Sequence, residues 1–379
     1  MFEFFYSLTR KDKNEKGLFD VLTLAKKLSV DRVPFEMVHI AGTNGKGSVA
    51  TMLHATSTHA GISSGLFTSP HITHPKERIK VGDEEIEENQ LLSLAESVYA
   101  IIKKQSLDVG FFGIMLMCAL WYFKEKHVEI AFIEAGIGGL LDSTNIITSM
   151  LSIITTIGED HIDILGRSEI EIAKQKAGII RYKTPVVLGS SANRKEIIEL
   201  AQAKLAPTFI VQRGANFIEE NEKIAKKALD LLSTRFSFTM EDVQTGLQTK
   251  PKARFEKLED QIYLDAAHNL DAIKALVKLL PKTPVCVCLS FSKDKNAFQI
   301  VEFLKTRVES LHVFHFEHPR AMSANTLKAL IKDIPNAIYF SNFEKAFDKA
   351  KQKGAFILIT GSFYFMDQCL NNVVSKNPI

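Results

Sequence analysis

Apolar residues recur at Leu18, Val21, Leu22, Leu24, Ala25 and Leu28, a spacing that predicts an amphipathic helix over 17–29. The period then changes. A short apolar run at 35–40 leads into a glycine-rich turn, and helical spacing resumes over 49–60. Gly65-Leu66-Phe67 reads as a strand entering a loop, because Pro70 holds Ser69 out of the helical region. A further helix is expected at 89–104 and a long one at 109–125. Strands at 128–133 and 151–157 follow, then a short helix over 168–177 with Ser168 as cap and Gly178 as stop. Strand 185–189, helix 193–205, strand 208–211, helix 220–234 and a turn-rich stretch at 242–256 complete this half.

Beyond Pro251, the expected junction, the pattern restarts. Strands at 262–266, 284–290, 311–316 and 355–360 alternate with helices at 270–280, 295–306, 323–331 and 343–352, and an amphipathic tail begins at Phe363. Strands separated by helices of this length predict an α/β protein with a mostly parallel sheet. The division expected is a domain over 1–250 and a smaller α/β domain over 251–379. A single core stops growing near ~250–300 residues, so a chain of 379 residues suits two.

Composition narrows the classes. The chain is 46% hydrophobic and 24% charged, as in soluble globular proteins, and its net charge of +3 does not argue for nucleic acid. The longest apolar stretch, 109–123, runs into Lys124-Glu125-Lys126 and reads as a buried helix, so no membrane span is expected. The start of the chain lacks the basic leader and apolar core of an export signal. The four cysteines show no C-x-x-C spacing, and buried reduced thiols in the cytoplasm are the expectation.

The chemistry gathers at His39-Ile-Ala-Gly-Thr-Asn-Gly-Lys-Gly-Ser48. A strand that ends in such a turn and opens a helix directs backbone N–H groups at one point, where phosphate can sit. Gly42, Thr43, Asn44, Gly45, Lys46, Gly47 and Ser48 form this cradle, with Lys46 as the positive charge and Ser48 as a hydroxyl for Mg²⁺. The stretch departs from G-x-x-x-x-G-K-[ST], since Ile40 stands at the first glycine and Gly47 separates Lys46 from Ser48. The alternative is a plain glycine-rich turn.

Other polar residues stand where strands end, the place where open parallel sheets bind ligands. They are Ser69 and His71, then Glu134, then Glu159-Asp160-His161, and in the second domain Asp265, His268 and Asn269. Ser69, Glu134 and His161 are candidate Mg²⁺ ligands. A capping role for Glu134, a core role for His161 and a helix cap at Asn269 or Asp271 are the alternatives. Kinase, ATPase and ATP-driven ligase chemistry all fit this arrangement.

Ten segments in series resemble the folylpolyglutamate synthase family of the Mur ligase superfamily, in which many bacterial members also act as dihydrofolate synthases. They are HIAGTNGKGS (39–48), FTSPHI (67–72), ERI (77–79), EAGIGGLLDSTN (134–145), IGEDHIDILG (157–166), IAKQKAGI (172–179), ARF (253–255), DAAHN (265–269), HPRA (318–321) and TGSFYF (360–365). The resemblance implies an enzyme that uses ATP to phosphorylate a folate carboxylate, after which the amine of L-glutamate attacks the acyl phosphate and an amide forms. It implies ATP with one or two Mg²⁺ ions held by Ser48, Ser69, Glu134 and His161. ATP contacts are implied at Asn221, Arg254 and Asp265, with His268 and Asn269 beside them. Gly17, Leu18, Leu141 and Ser143 match two of the three pieces of the dihydropteroate site. The third lies near Gly110, where some members carry Thr, and His71 is a further substrate-side residue.

Lys176 reads by pattern as a solvated helix lysine, whereas the resemblance implies a carbamylated lysine (N6-carboxylysine) that joins Lys46 and His161 in catalysis. The substrates implied are 7,8-dihydropteroate, reduced folates and L-glutamate, in a cytoplasmic monomer with neither nucleic acid nor membrane as partner. Departures from the family are Gly113 for Glu, Leu116 for Thr, Leu140 for Arg, Gln175 for Glu and Leu270 for Pro. The rivals are a folylpolyglutamate synthase without dihydrofolate synthase activity, a cell-wall Mur ligase, a small-molecule kinase and a nucleotide switch without enzymatic activity.

Overall fold

The computed structural model describes residue 8 and residues 15–158, 165–166, 168–293 and 296–374. The chain divides into two units, Met1–Lys250 and Pro251–Ile379. Strands of the first unit are β1 (Glu36–Ala41), β2 (Ser64–Phe67), β3 (Ile79–Val81), β4 (Glu84–Glu85), β5 (Ile130–Glu134), β6 (Leu151–Ile154), β7 (Val186–Leu188) and β8 (Thr208–Ile210). They lie in the order β4-β3-β2-β5-β1-β6-β7-β8. All pairs from β2 to β8 are parallel, and β3 and β4 turn back antiparallel at one edge. The α/β, mostly parallel architecture is therefore as expected, with that short edge as an addition.

Alternation along the central strand explains the two layers of helices. Val38 and Ile40 point to one face, Met37 and Ala41 to the other. On the first face Val49, Ala50, Met52 and Leu53 of helix Lys46–His59 pack with Ile224, Ala225, Ala228 and Leu229 of helix Phe217–Leu232. The second face carries helices Glu15–Lys27, Glu88–Gln105 and Phe111–Glu125 over one half and helix Glu169–Ala177 over the other. Helix Phe111–Glu125 is buried along nearly its whole length, as its continuous apolar run requires. No described helix is long and apolar enough to cross a membrane.

Two local expectations are corrected. β6 stops at Ile154 rather than 157, because Thr155 and Thr156 turn their hydroxyls onto the backbone of Asn44. The stretch expected as turns from 242 instead carries helix Met240–Gln248. Thr239 and Asp242 cap it reciprocally, with Asp242 N–H donating to Thr239 Oγ1 at 3.1 Å and Thr239 N–H to Asp242 Oδ2 at 2.8 Å. Gly246 lies so close to Thr56 that a Cβ would collide, so this glycine serves helix packing rather than a turn.

The second unit holds β9 (Glu256–Glu259), β10 (Ile262–Asp265), β11 (Val285–Leu289), β12 (Ser310–Phe314), β13 (Ala337–Phe340) and β14 (Phe356–Thr360). Their order is β13-β12-β11-β14-β10-β9, parallel except for β9. The chain leaves β10 for β11 and returns to insert β14 between them, so the carboxyl ends of β10 and β14 flank a reversal of strand order. Cys286 and Cys288, two apart on β11, share one face, and all four cysteines are buried and unpaired as disulfides.

Candidate active site

The turn after β1 is held open from below. Thr43 N–H donates to Thr156 O at 2.8 Å, and its hydroxyl bonds the backbone of Gly158. Asn44 N–H donates to Thr156 Oγ1 at 2.8 Å, and Thr155 Oγ1 donates to Asn44 O at 2.7 Å. These threonines were missed by sequence reasoning; the signal was a Thr pair at the end of an apolar strand. Gly45, at φ +87°, starts helix Lys46–His59 without a side-chain cap. Only glycine adopts that backbone readily, and a Cβ there would run into the Asn221 carboxamide. Lys46 Nζ curls back to Gly42 O at 3.0 Å and Thr43 O at 3.4 Å, which keeps the ammonium over the turn.

Glu134 ends β5 and is 2% exposed. Its Oε2 accepts Ser69 N–H at 2.9 Å and lies 3.3 Å from where a Cβ on Gly47 would be. Glu134, Ser69 and the helix start that bears Ser48 are thus brought together. This oxygen-only donor set fits a hard divalent cation that keeps waters and phosphate oxygens as its other ligands. Among the described residues, no three His, Cys, Asp or Glu side chains gather around a metal position. His161 lies outside the described residues. Ser69 precedes Pro70 through a cis peptide bond. His71 Nδ1 accepts Arg78 Nε–H at 2.8 Å, and burial with the nearby guanidinium pushes its pKa down to about 3. Arg78, quoted in the ERI segment but given no role there, also lies 5.2 Å from the Phe111 ring centre.

Gly17 and Leu18 lie on helix Glu15–Lys27, and Gly110 caps helix Phe111–Glu125. Both helices pack on the short turn Ser143–Ile146, so the elements bearing Gly17, Leu18, Gly110, Leu141 and Ser143 converge. Gly113 is tightly enclosed: a Cβ there would meet Val109 at 2.7 Å and Ser143 Oγ at 3.5 Å, so a glutamate would not fit without rearrangement. Lys176 is 3% exposed, in the last turn of helix Glu169–Ala177, so the solvated reading is overturned.

In the second unit Asp265 Oδ2 accepts Phe255 N–H and Oδ1 accepts Ala267 N–H, both at 2.8 Å. Burial raises its pKa, against the opposing pull of Arg254. Arg254 lies over the Phe363 ring at 4.7 Å, and His268 meets the same ring at 5.4 Å. Asn269 caps helix Leu270–Val277, accepting Ala272 N–H at 2.8 Å, so the capping alternative holds at that residue.

The sequence model of the Mur ligase glutamate ligase domain matches residues 253–363. The dihydrofolate synthase/folylpolyglutamate synthase of Buchnera aphidicola subsp. Schizaphis graminum is similar, with 28% identity over 95% of this chain and 93% of its own. The folylpolyglutamate synthase of Lacticaseibacillus casei is 29% identical over 91% of each chain. Among solved structures, the bifunctional folylpolyglutamate synthase/dihydrofolate synthase of Yersinia pestis, complexed with AMPPNP and a Mn ion, superposes with a TM-score of 0.88 at 25% identity. That structure covers 98% of this chain and 97% of its own. A glycine-rich strand–turn–helix in a parallel α/β unit followed by a glutamate ligase domain defines a Mur-ligase-type, ATP-dependent ligase. Within that class, the chain is similar over nearly its whole length to dihydrofolate synthase/folylpolyglutamate synthases.

Proposed function

We propose that this enzyme joins L-glutamate to 7,8-dihydropteroate and to the γ-carboxylate of reduced folates, with ATP converted to ADP and phosphate. The observation that carries this reading is the turn Gly42–Ser48, with Lys46 folded over it and Glu134 and Ser69 at its helix start. Backbone amides and Lys46 hold the triphosphate and align its γ-phosphorus with an acceptor carboxylate. That carboxylate oxygen attacks, the bond to the ADP oxygen breaks, and an acyl phosphate results. The glutamate amine then attacks the acyl carbon, inorganic phosphate leaves with the carboxylate's original oxygen, and the amine gives up a proton as the amide forms.

Ser48, Ser69, Glu134 and His161 are assigned to one or two Mg²⁺ ions, which supply neutralisation of the phosphate charge when bound. Asn221, Arg254, Asp265, His268 and Asn269 are assigned to the nucleotide. Gly17, Leu18, His71, Gly110, Leu141 and Ser143 are assigned to the acceptor. Burial of Lys176 supports its carbamylation, since a buried cation is costly and a carbamate would attract rather than repel the ions. We further assign the enzyme to the cytoplasm, as a monomer.

The test is phosphate release with ATP, Mg²⁺ and L-glutamate, comparing dihydropteroate, dihydrofolate and tetrahydrofolate. Release with all three acceptors and dependence on glutamate are expected. Release with reduced folates alone selects the second reading, a monofunctional folylpolyglutamate synthase, which the similarity to the Lacticaseibacillus enzyme favours. Release that ignores both acceptor and glutamate overturns the ligase.

A further inference from the structure

The segment 139–147 is fastened to the end of the Lys176 helix by more bonds than a surface loop needs. Arg181 Nη2 donates to Asn145 O at 2.8 Å, to Asn145 Oδ1 at 2.7 Å and to Ile147 O at 3.2 Å. Its Nη1 donates to Gly178 O at 3.2 Å, at the helix terminus itself. Asn145 Nδ2 passes the connection on to Leu140 O at 2.9 Å, and Leu140 N–H donates to Gln175 O at 2.7 Å. Two glycines let the backbones meet. A Cβ on Gly139 would lie 2.8 Å from Gln175 O and 3.0 Å from Lys176 O, and one on Gly178 would collide with Leu140.

The inner side of the same segment is tied to β1. Asp142 accepts Ile137 N–H at 2.8 Å, Thr144 N–H at 2.9 Å and the Thr144 hydroxyl at 2.6 Å. The single hydroxyl proton of Thr144 is therefore committed to Asp142. Its 2.8 Å contact with His39 Nε2 must use the histidine's own N–H, and burial keeps the ring neutral, with Nδ1 bare. With the inner edge anchored on the strand that leads to the phosphate turn, Arg181 decides where the outer edge sits.

We propose that Arg181 is a positioning residue that sets the acceptor-binding segment 139–147 against the helix bearing Lys176. This rests on the assignment of Leu141 and Ser143 to the acceptor. The planar guanidinium reaches carbonyls of two segments at once; an ammonium, a compact point charge with three donors, would satisfy only part of that set. Arg181 thus acts through the segment's register and touches neither reactant.

The test compares wild type, Arg181→Met and Arg181→Lys in steady-state ligation and in amide hydrogen exchange. In Arg181→Met the KM for the folate acceptor should rise at least fivefold while the KM for ATP stays within twofold. The bonded amides of 140, 142, 144, 145 and 147 should exchange at least tenfold faster, with those of helix Lys46–His59 unchanged. Arg181→Lys should recover part of both effects, and it carries the same readouts if the Met variant does not fold. Unchanged exchange at 140–147, or equal rises in both KM values with faster exchange throughout, would overturn the proposal. A wild-type enzyme without acceptor-dependent turnover would instead overturn the ligase reading, and exchange would still decide the role of Arg181.

Discussion

The two units each contain a strand, a tight turn and a helix start, yet they finish the helix differently. After β1, helix Lys46–His59 begins at Gly45 with no side-chain cap and no acidic residue in its first turn. After β10, helix Leu270–Val277 begins at Asn269, whose carboxamide takes the Ala272 N–H, and Asp271 lies in the first turn. The positive end of a helix attracts an anion, and a side-chain cap consumes part of that capacity. The first helix start thus keeps the anion-attracting capacity that a side-chain cap would consume, whereas in the second unit the cap and the Asp265 bonds fix the shape of the turn from within the protein.

The largest effect expected from breaking this contrast is at Lys46. Lys46→Ala should lower turnover by on the order of 10²–10³-fold, the scale for losing a preorganised charge or donor at the reacting centre. Its melting temperature should stay near wild type, read by calorimetry alongside phosphate release. Acid should weaken the first unit next. Burial lowers the pKa of His39 to about 3 and of His54 to about 4, so the fold keeps both neutral. The unfolded chain takes up protons as pH falls through about 6.5, so stability is full above that value and is lost below it. Each histidine removes up to about 1.4 kcal/mol per pH unit in the window from 6.5 down to its folded pKa. Urea titrations from pH 7 to pH 5 should show that loss; a flat profile would contradict it.

Gly45→Ala sharpens the comparison at the backbone itself. A left-handed residue with a Cβ costs about 1–2 kcal/mol, and the clash with Asn221 adds to it. Nucleotide affinity should fall about tenfold or more in titration calorimetry. The smallest change expected is in Asn269→Ala, where losing a helix cap costs about 1 kcal/mol and lowers the denaturation midpoint modestly.

What could be read in the sequence follows from range and period. The turn 42–48 announces itself through three glycines and a lysine after an apolar run, and the strand–helix alternation yields both units. β3, β4, β9 and β13 escaped because strands of two to four residues at sheet edges carry little apolar signal. Helix Met240–Gln248 was hidden by Gly246, which reads as a breaker until Thr56 is seen against it. Asn221 reached the candidate set only through family resemblance. Its place one turn before Ile224 and Ala225 on a buried stripe was a signal available without it. Lys176 is buried and the Arg181 bonds join segments 34 to 36 residues apart, which periodicity cannot relate.

The claim on which the rest depends is that the uncapped turn after β1 grips the triphosphate. Calorimetric titration of ATP with Mg²⁺ into wild type and Lys46→Ala, both shown folded, tests it most directly. The account predicts one site in wild type and at least a tenfold weaker one in the variant; equal affinity in the two proteins would contradict it.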